Sequence, residues 1–115
     1  MKIVLTDCST VTKGDIDLSV LERYGEVTYY QNTAPDMIIP RLRDADMLLC
    51  NKTQITAQVM EACPNLRYIG LFATGYNNID VAYAREHGIT VCNAGEYSTY
   101  AVAQHTFAMM LELFS

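Results

Sequence analysis

The sequence predicts an α/β domain built on a parallel sheet, and three observations lead there. Short, nearly uninterrupted apolar runs alternate with stretches of helical spacing along the 115 residues. Strands that are apolar throughout need cover on both faces, which crossover helices give to a parallel sheet. Gly, Pro and capping residues punctuate the chain, with no internal linker or repeat between the units.

Lys2 to Asp7 opens as a strand with a continuous apolar middle. Asp17 to Tyr24 predicts a short helix that Gly25 terminates. Glu26 to Gln31 is rich in β-branched and aromatic residues and forms the second strand. Pro35 to Asp44 is helical with Pro35 in the first turn; Pro40 either interrupts this helix or delays its start. Asp46 to Asn51 is the third strand. Thr56 is placed to cap a helix through Ala62, closed off by Pro64, and Leu66 to Ala73 is the fourth strand. Asn77 is assigned as the cap of the next helix, with Asp80 three residues on in a capping-box-like pair, and Gly88 ends that helix. Ile89 to Asn93 is the fifth strand. Five such units joined by right-handed crossovers predict a flavodoxin-like, doubly wound sheet of order 2-1-3-4-5 over residues 1–97.

A last helix is predicted from Ser98 to the end. Val102, Met109 and Leu113 form one apolar stripe, and Ala103, Phe107, Met110 and Phe114 form another. A surface helix needs a single stripe, so this one calls for burial on several sides. Either it is a core element of an unusually hydrophobic monomer or its second neighbour is another domain or another copy of the protein, and the second is the expectation taken. No cap signal closes it, and the chain is expected to be a fragment of something longer.

Composition excludes several classes of function. Half the residues are hydrophobic, 18% are charged and the net charge is −5. Eight scattered Lys and Arg do not make a phosphate-binding patch, so no nucleic-acid partner is expected. No 18-residue apolar run is present and the first residues do not make a secretory signal, so a cytoplasmic protein without a membrane partner is expected. Cys8, Cys50, Cys63 and Cys92 share no C-x-x-C spacing and are expected to be reduced, buried thiols, with no metal site.

In such a sheet a ligand sits outside the carboxyl ends of the strands, where strand order reverses. The loops there are Cys8 to Gly14, Asn51 to Ile55 and Thr74 to Asn78. Gly75 follows an apolar strand and precedes a helix start, where free amides suit a carboxylate; a tight turn alone would also explain it. Asn51, Lys52 and Thr53 put a cation and two hydrogen-bonding side chains beside the same crevice. In the first loop Ser9, Thr10 and Thr12 resemble a flavin phosphate loop, but the glycine comes late, at Gly14. A receiver domain would want an acidic residue where Asn51 stands. His87 at a helix end and His105 among apolar neighbours are assigned structural roles. The chain holds no G-x-G-x-x-G, and so no dinucleotide fingerprint.

Four segments, NKT at 51–53, ATGYNNID at 73–80, GITVCN at 88–93 and YSTYAVAQHTFAMMLEL at 97–113, together resemble the D-isomer-specific 2-hydroxyacid dehydrogenases, nearest to their glycerate dehydrogenase and hydroxypyruvate reductase branch. The resemblance implies a substrate-binding lobe of a two-domain enzyme that moves hydride between NAD or NADP and a 2-oxo or 2-hydroxy acid. It implies substrate binding at Asn51, Lys52, Thr74, Gly75 and Tyr76, and cofactor contacts at Thr74 and Thr106. It implies that residues 98–115 form the helix leading into a nucleotide-binding domain. The family's catalytic Arg, Glu and His have no counterparts in these 115 residues. The chain alone is therefore expected to be inactive, to bind no cofactor tightly, and to self-associate, as a homodimer, through its last helix. The competing expectation is a stand-alone small-molecule-binding or regulatory module without redox chemistry.

Overall fold

The apolar runs become strands, and their polar ends become the loops of one sheet edge. A computed structural model of the chain describes residues 1–10, 22–23, 25–72 and 77–92. The strands are β1 (Lys2–Leu5), β2 (Glu26–Tyr29), β3 (Met47–Cys50), β4 (Tyr68–Leu71) and β5 (Thr90–Cys92), and the helices are α1 (Ile38–Leu42), α2 (Ala57–Glu61) and α3 (Val81–Glu86). All strand pairs are parallel, in the order β2-β1-β3-β4-β5. The expected five-stranded parallel sheet of order 2-1-3-4-5 is therefore present. The expected helix at 98–115 falls outside the described residues, as does the one at 17–24 apart from Glu22 and Arg23.

Register sorts the strand side chains into two layers. Val4 aligns with Leu48, Leu48 with Ile69 and Ile69 with Val91. On this face they pack with Ile38 and Leu42 of α1, Val59 and Met60 of α2, and Ala84 of α3. The three helices share a face because their crossovers all run the same way along the sheet, and right-handed connections then leave them on one side. Ile3, Leu5, Met47, Leu49 and Tyr68 point to the other face and are buried too. β3 and β4 are buried along their whole length, whereas β2, at the edge, exposes three of its four residues.

Two local expectations are decided by backbone geometry. Pro35 starts a single 3-10 turn to Met37, and α1 begins only at Ile38, so Pro40 sits in its first turn, where an amide has no helical partner to lose. Pro40 delays the helix and does not break it.

The cap assigned to Asn77 is corrected. α3 starts at Val81, and Asp80 is its N-cap, its carboxylate accepting the Tyr83 amide at 3.0 Å. The helix cannot start earlier because Ile79 is held extended against Ile55. The Ile55 amide donates to the Asn78 carbonyl at 2.7 Å, and the Asp80 amide donates to the Ile55 carbonyl at 3.0 Å. The caps expected from Thr56 and Gly88 are present. Thr56 Oγ1 accepts the Val59 amide at 3.3 Å. Gly88 has φ +72°, and the Ile89 amide beyond it reaches back to the Ala84 carbonyl at 2.9 Å, the Schellman closure.

Candidate functional site

Strand order reverses between β1 and β3: the chain leaves β1 toward β2 and leaves β3 toward β4. The carboxyl ends of these two strands carry Thr6-Asp7 and Asn51-Lys52-Thr53. Asp7 is only 6% exposed. Its Oδ1 accepts the Asn51 amide at 2.8 Å, and its Oδ2 accepts the amides of Lys52 at 2.5 Å and Thr53 at 3.0 Å. A carboxylate withdrawn from water needs such donors, and three consecutive amides supply them. Beside it the hydroxyls of Thr6 and Thr53 are hydrogen bonded at 2.8 Å.

Asn78 holds the same loop from the β4 side. Its Nδ2 donates to the Thr53 carbonyl at 2.9 Å and the Asn51 carbonyl at 3.3 Å, and lies 4.0 Å from the Cys50 sulfur. The loop at 51–53 thus has amides engaged on one side and carbonyls on the other. Asn51 and Thr53 are half-buried and Lys52 is exposed.

The network continues outward to the β2 edge. Thr33 Oγ1 donates to the Thr6 carbonyl at 2.7 Å, and Arg41 Nη1 donates to Thr33 Oγ1 at 2.9 Å and to the Asn32 carbonyl at 2.7 Å. The Arg41 guanidinium stacks 4.0 Å over the Tyr30 ring.

Among the described residues every buried side-chain polar atom has a partner. The four thiols are free and buried. Burial raises those of Cys8, Cys50 and Cys63 above the usual thiol range, and the Asp7 charge adds to the effect at Cys8 and Cys50. Raised thiols are poor nucleophiles and poor metal ligands, and no group of three or more metal-ligating side chains occurs among the described residues. His87 is a C-cap: its Nδ1 lies 2.9 Å from the Tyr83 carbonyl, and its ring stacks on Tyr83 at 3.8 Å. That geometry supports the structural role assigned to it.

Of the expected substrate residues, Asn51 and Lys52 stand at the switch point. Thr74, Gly75, Tyr76 and Thr106 lie outside the described residues. The helix-terminus argument at Gly75 is corrected, since α3 begins at Val81 and the Tyr83 amide is already engaged by Asp80. Asp7 and Asn78 were missed by sequence reasoning. An Asp that ends a strand has the signature of any turn residue, and only the fold brings amides 44 to 46 positions away onto it. The available signal was position alone: Asp7 ends the first strand, at the edge where ligands bind.

The family model for the catalytic domain of D-isomer specific 2-hydroxyacid dehydrogenases matches residues 3–110. The chain belongs to this family. Among its relatives are a hydroxypyruvate reductase of Blautia hydrogenotrophica, 44% identical over 98% of this chain and 36% of its own length, and a glycerate dehydrogenase of Methylorubrum extorquens, 30% identical over 97% and 35%. A D-lactate dehydrogenase of Aquifex aeolicus, solved with NAD and lactic acid, superimposes with a TM-score of 0.69 at 25% identity, over 96% of this chain and 33% of its own. The chain thus spans about a third of the length of the relatives it matches. No helix among its described residues is long and apolar enough to cross a membrane.

Proposed function

We propose that this chain is the substrate-binding lobe of an NAD(P)-dependent D-2-hydroxyacid dehydrogenase, holding the carboxylate of a 2-oxo or 2-hydroxy acid of the hydroxypyruvate and glycerate class. The observation that carries the proposal is the loop at 51–53. It sets one exposed cation, Lys52, on a backbone whose three amides and the carbonyls of Asn51 and Thr53 are engaged, at the switch point of the sheet. A lysine placed there adds a point charge to a site whose geometry the protein has already fixed. Asn51 beside it, with Thr74, Gly75 and Tyr76 of the neighbouring loop, completes the proposed substrate site.

A nicotinamide cofactor would supply or accept the hydride at the substrate's C2. In this proposal the chain's contacts with the cofactor are made by Thr74 and Thr106. We assign residues 1–97 to the lobe and 98–115 to an apolar helix that crosses to a nucleotide-binding domain. Alone, the chain is inactive in this proposal, and it self-associates as a homodimer through that helix. The competing proposal, a binding or regulatory module without redox chemistry, shares the site and differs in having no nucleotide-binding domain beyond the helix.

The experiment is a titration of oxalate and of hydroxypyruvate into the ¹⁵N-labelled chain. Shifts are expected at the amides of residues 51–53 and 74–77. A response confined to other parts of the sheet overturns the assignment.

A further inference from the structure

We propose that Asp7 and Asn78 are positioning residues for this site. From opposite sides they fix the backbone of Asn51, Lys52 and Thr53 in the conformation that presents Lys52 to a carboxylate. The inference rests on reading the crevice as a carboxylate site, and it adds the two groups that shape it.

Three consecutive amides converging on one point form the concavity in which a backbone binds an anion. Here the protein's own carboxylate fills it: Asp7 takes the amides of Asn51, Lys52 and Thr53 at 2.8, 2.5 and 3.0 Å. The loop is therefore folded around an internal anion, and an incoming carboxylate is met by side chains and not by these amides. Asn78 secures the reverse side through the carbonyls of Thr53 and Asn51 at 2.9 and 3.3 Å. It also binds the loop's far end, its own carbonyl accepting the Ile55 amide at 2.7 Å.

Donor and acceptor types are matched to their sides. A carboxylate can only accept, and it faces amides; an amide nitrogen can only donate, and it faces carbonyls. Exchanging either type puts like groups face to face. Rigid support of this kind keeps a binding side chain within a fraction of an ångström of its working position.

The test uses the intact 115-residue chain and its variants Asp7→Asn and Asn78→Ala, with Leu42→Ala as a control that weakens the core in α1 without touching the loop. Two readouts are taken, amide hydrogen exchange at Asn51, Lys52 and Thr53, and the affinity for oxalate. Both clamp variants are expected to exchange at least tenfold faster at these three amides relative to those of β3 and β4, and to bind oxalate at least fivefold more weakly. Leu42→Ala is expected to raise exchange evenly and to leave oxalate affinity unchanged. Should Asp7→Asn not fold, Asn78→Ala carries the test alone. Wild-type protection at 51–53 in the variants overturns the clamp, and lost protection with full oxalate affinity overturns positioning. Absence of any oxalate shift at Lys52 in the wild-type chain overturns the carboxylate reading instead, and the exchange data still decide the clamp.

Discussion

The hydroxyl of Tyr68 donates a 2.8 Å hydrogen bond to the sulfur of Cys92, joining β4 to β5 inside the protein. Burial first, and then this bond and the charge that a Cys92 thiolate would bring, push the Tyr68 phenol well above its ordinary value of 10.0. Burial likewise raises Cys8, Cys50 and Cys63 above 9.0. Raised folded-state values set the sign of the pH dependence. Below about pH 9 these groups are neutral whether the chain is folded or not, and their contribution is fully present. Above it for the three thiols, and above about pH 10 for Tyr68, the unfolded chain loses protons that the folded chain keeps, so stability declines by up to about 1.4 kcal/mol per pH unit for each group until its folded value is reached. Urea midpoints are expected to be level from pH 7 to 8.5 and to drop steeply from pH 9 to 11. Tyr68→Phe is expected to flatten the drop above pH 10, while changing stability at pH 7 by no more than about 1 kcal/mol. A profile level to pH 11 would contradict this.

Gly25 and Gly88 are both required, for different reasons, and alanine should separate them. At Gly88 a Cβ meets nothing within 4 Å, but φ is +72°, so Gly88→Ala carries only the left-handed backbone penalty of about 1–2 kcal/mol. At Gly25 the Cβ would collide with the Met1 carbonyl, which itself accepts the Glu26 amide at 2.9 Å to start the β1–β2 pairing. Backbone cannot swing aside as a side chain can. Gly25→Ala is expected to lower the urea midpoint more than Gly88→Ala, and Gly88→Asn to recover part of the Gly88→Ala loss. The reverse order at Gly25 and Gly88 would refute the geometry.

Asp80 and Thr56 cap helices of six and five residues. Replacing an N-cap by alanine typically costs about 1 kcal/mol. The Asp80 bond is shorter, 3.0 against 3.3 Å, and is made by a carboxylate. Asp80→Ala is therefore expected to be the more destabilising of the two. Asp80→Asn should fall between Asp80→Ala and wild type. Chemical denaturation of the three variants at pH 7 checks the order, and equal losses from Asp80→Ala and Thr56→Ala would remove the charge from the account.

The sheet was legible in the sequence because β3 and β4 are buried on both faces and leave no polar interruption in their apolar runs. Strand ends were not: Thr6, Asp7 and Asn51 continue the extended pattern, yet the Thr6 hydroxyl, the Asp7 carboxylate and the Asn51 amide build the crevice. The Asn77 assignment failed for a similar reason. Helical spacing is blind to the pairing of Ile55 with Ile79, which delays α3 until Asp80. Lys52 was visible as a cation at a strand end. Asp7 and Asn78 became meaningful only when the fold closed distances of 44 and 25 or more positions along the chain.

Lys52 offers the most direct functional prediction. Its side chain is exposed and its backbone is held by Asp7, so changing the side chain leaves the clamp in place. Exposed positions away from caps and cores alter stability by less than about 0.5 kcal/mol. Lys52→Met keeps the length of the stem and removes the charge. Its melting temperature is expected to stay within about 1–2 °C of wild type. Oxalate affinity, by contrast, is expected to fall about tenfold, the equivalent of about 1.4 kcal/mol for one partly screened ion pair. Lys52→Arg restores a charge but with a planar fork on a different stem, and should recover only part of the loss. Screening gives an independent check: raising the salt from 0.05 to 0.5 M should weaken oxalate binding to the wild-type chain more than to Lys52→Met. Calorimetric titration of the three proteins at both salt concentrations measures every term. Equal affinities for wild type and Lys52→Met would take Lys52 out of the site.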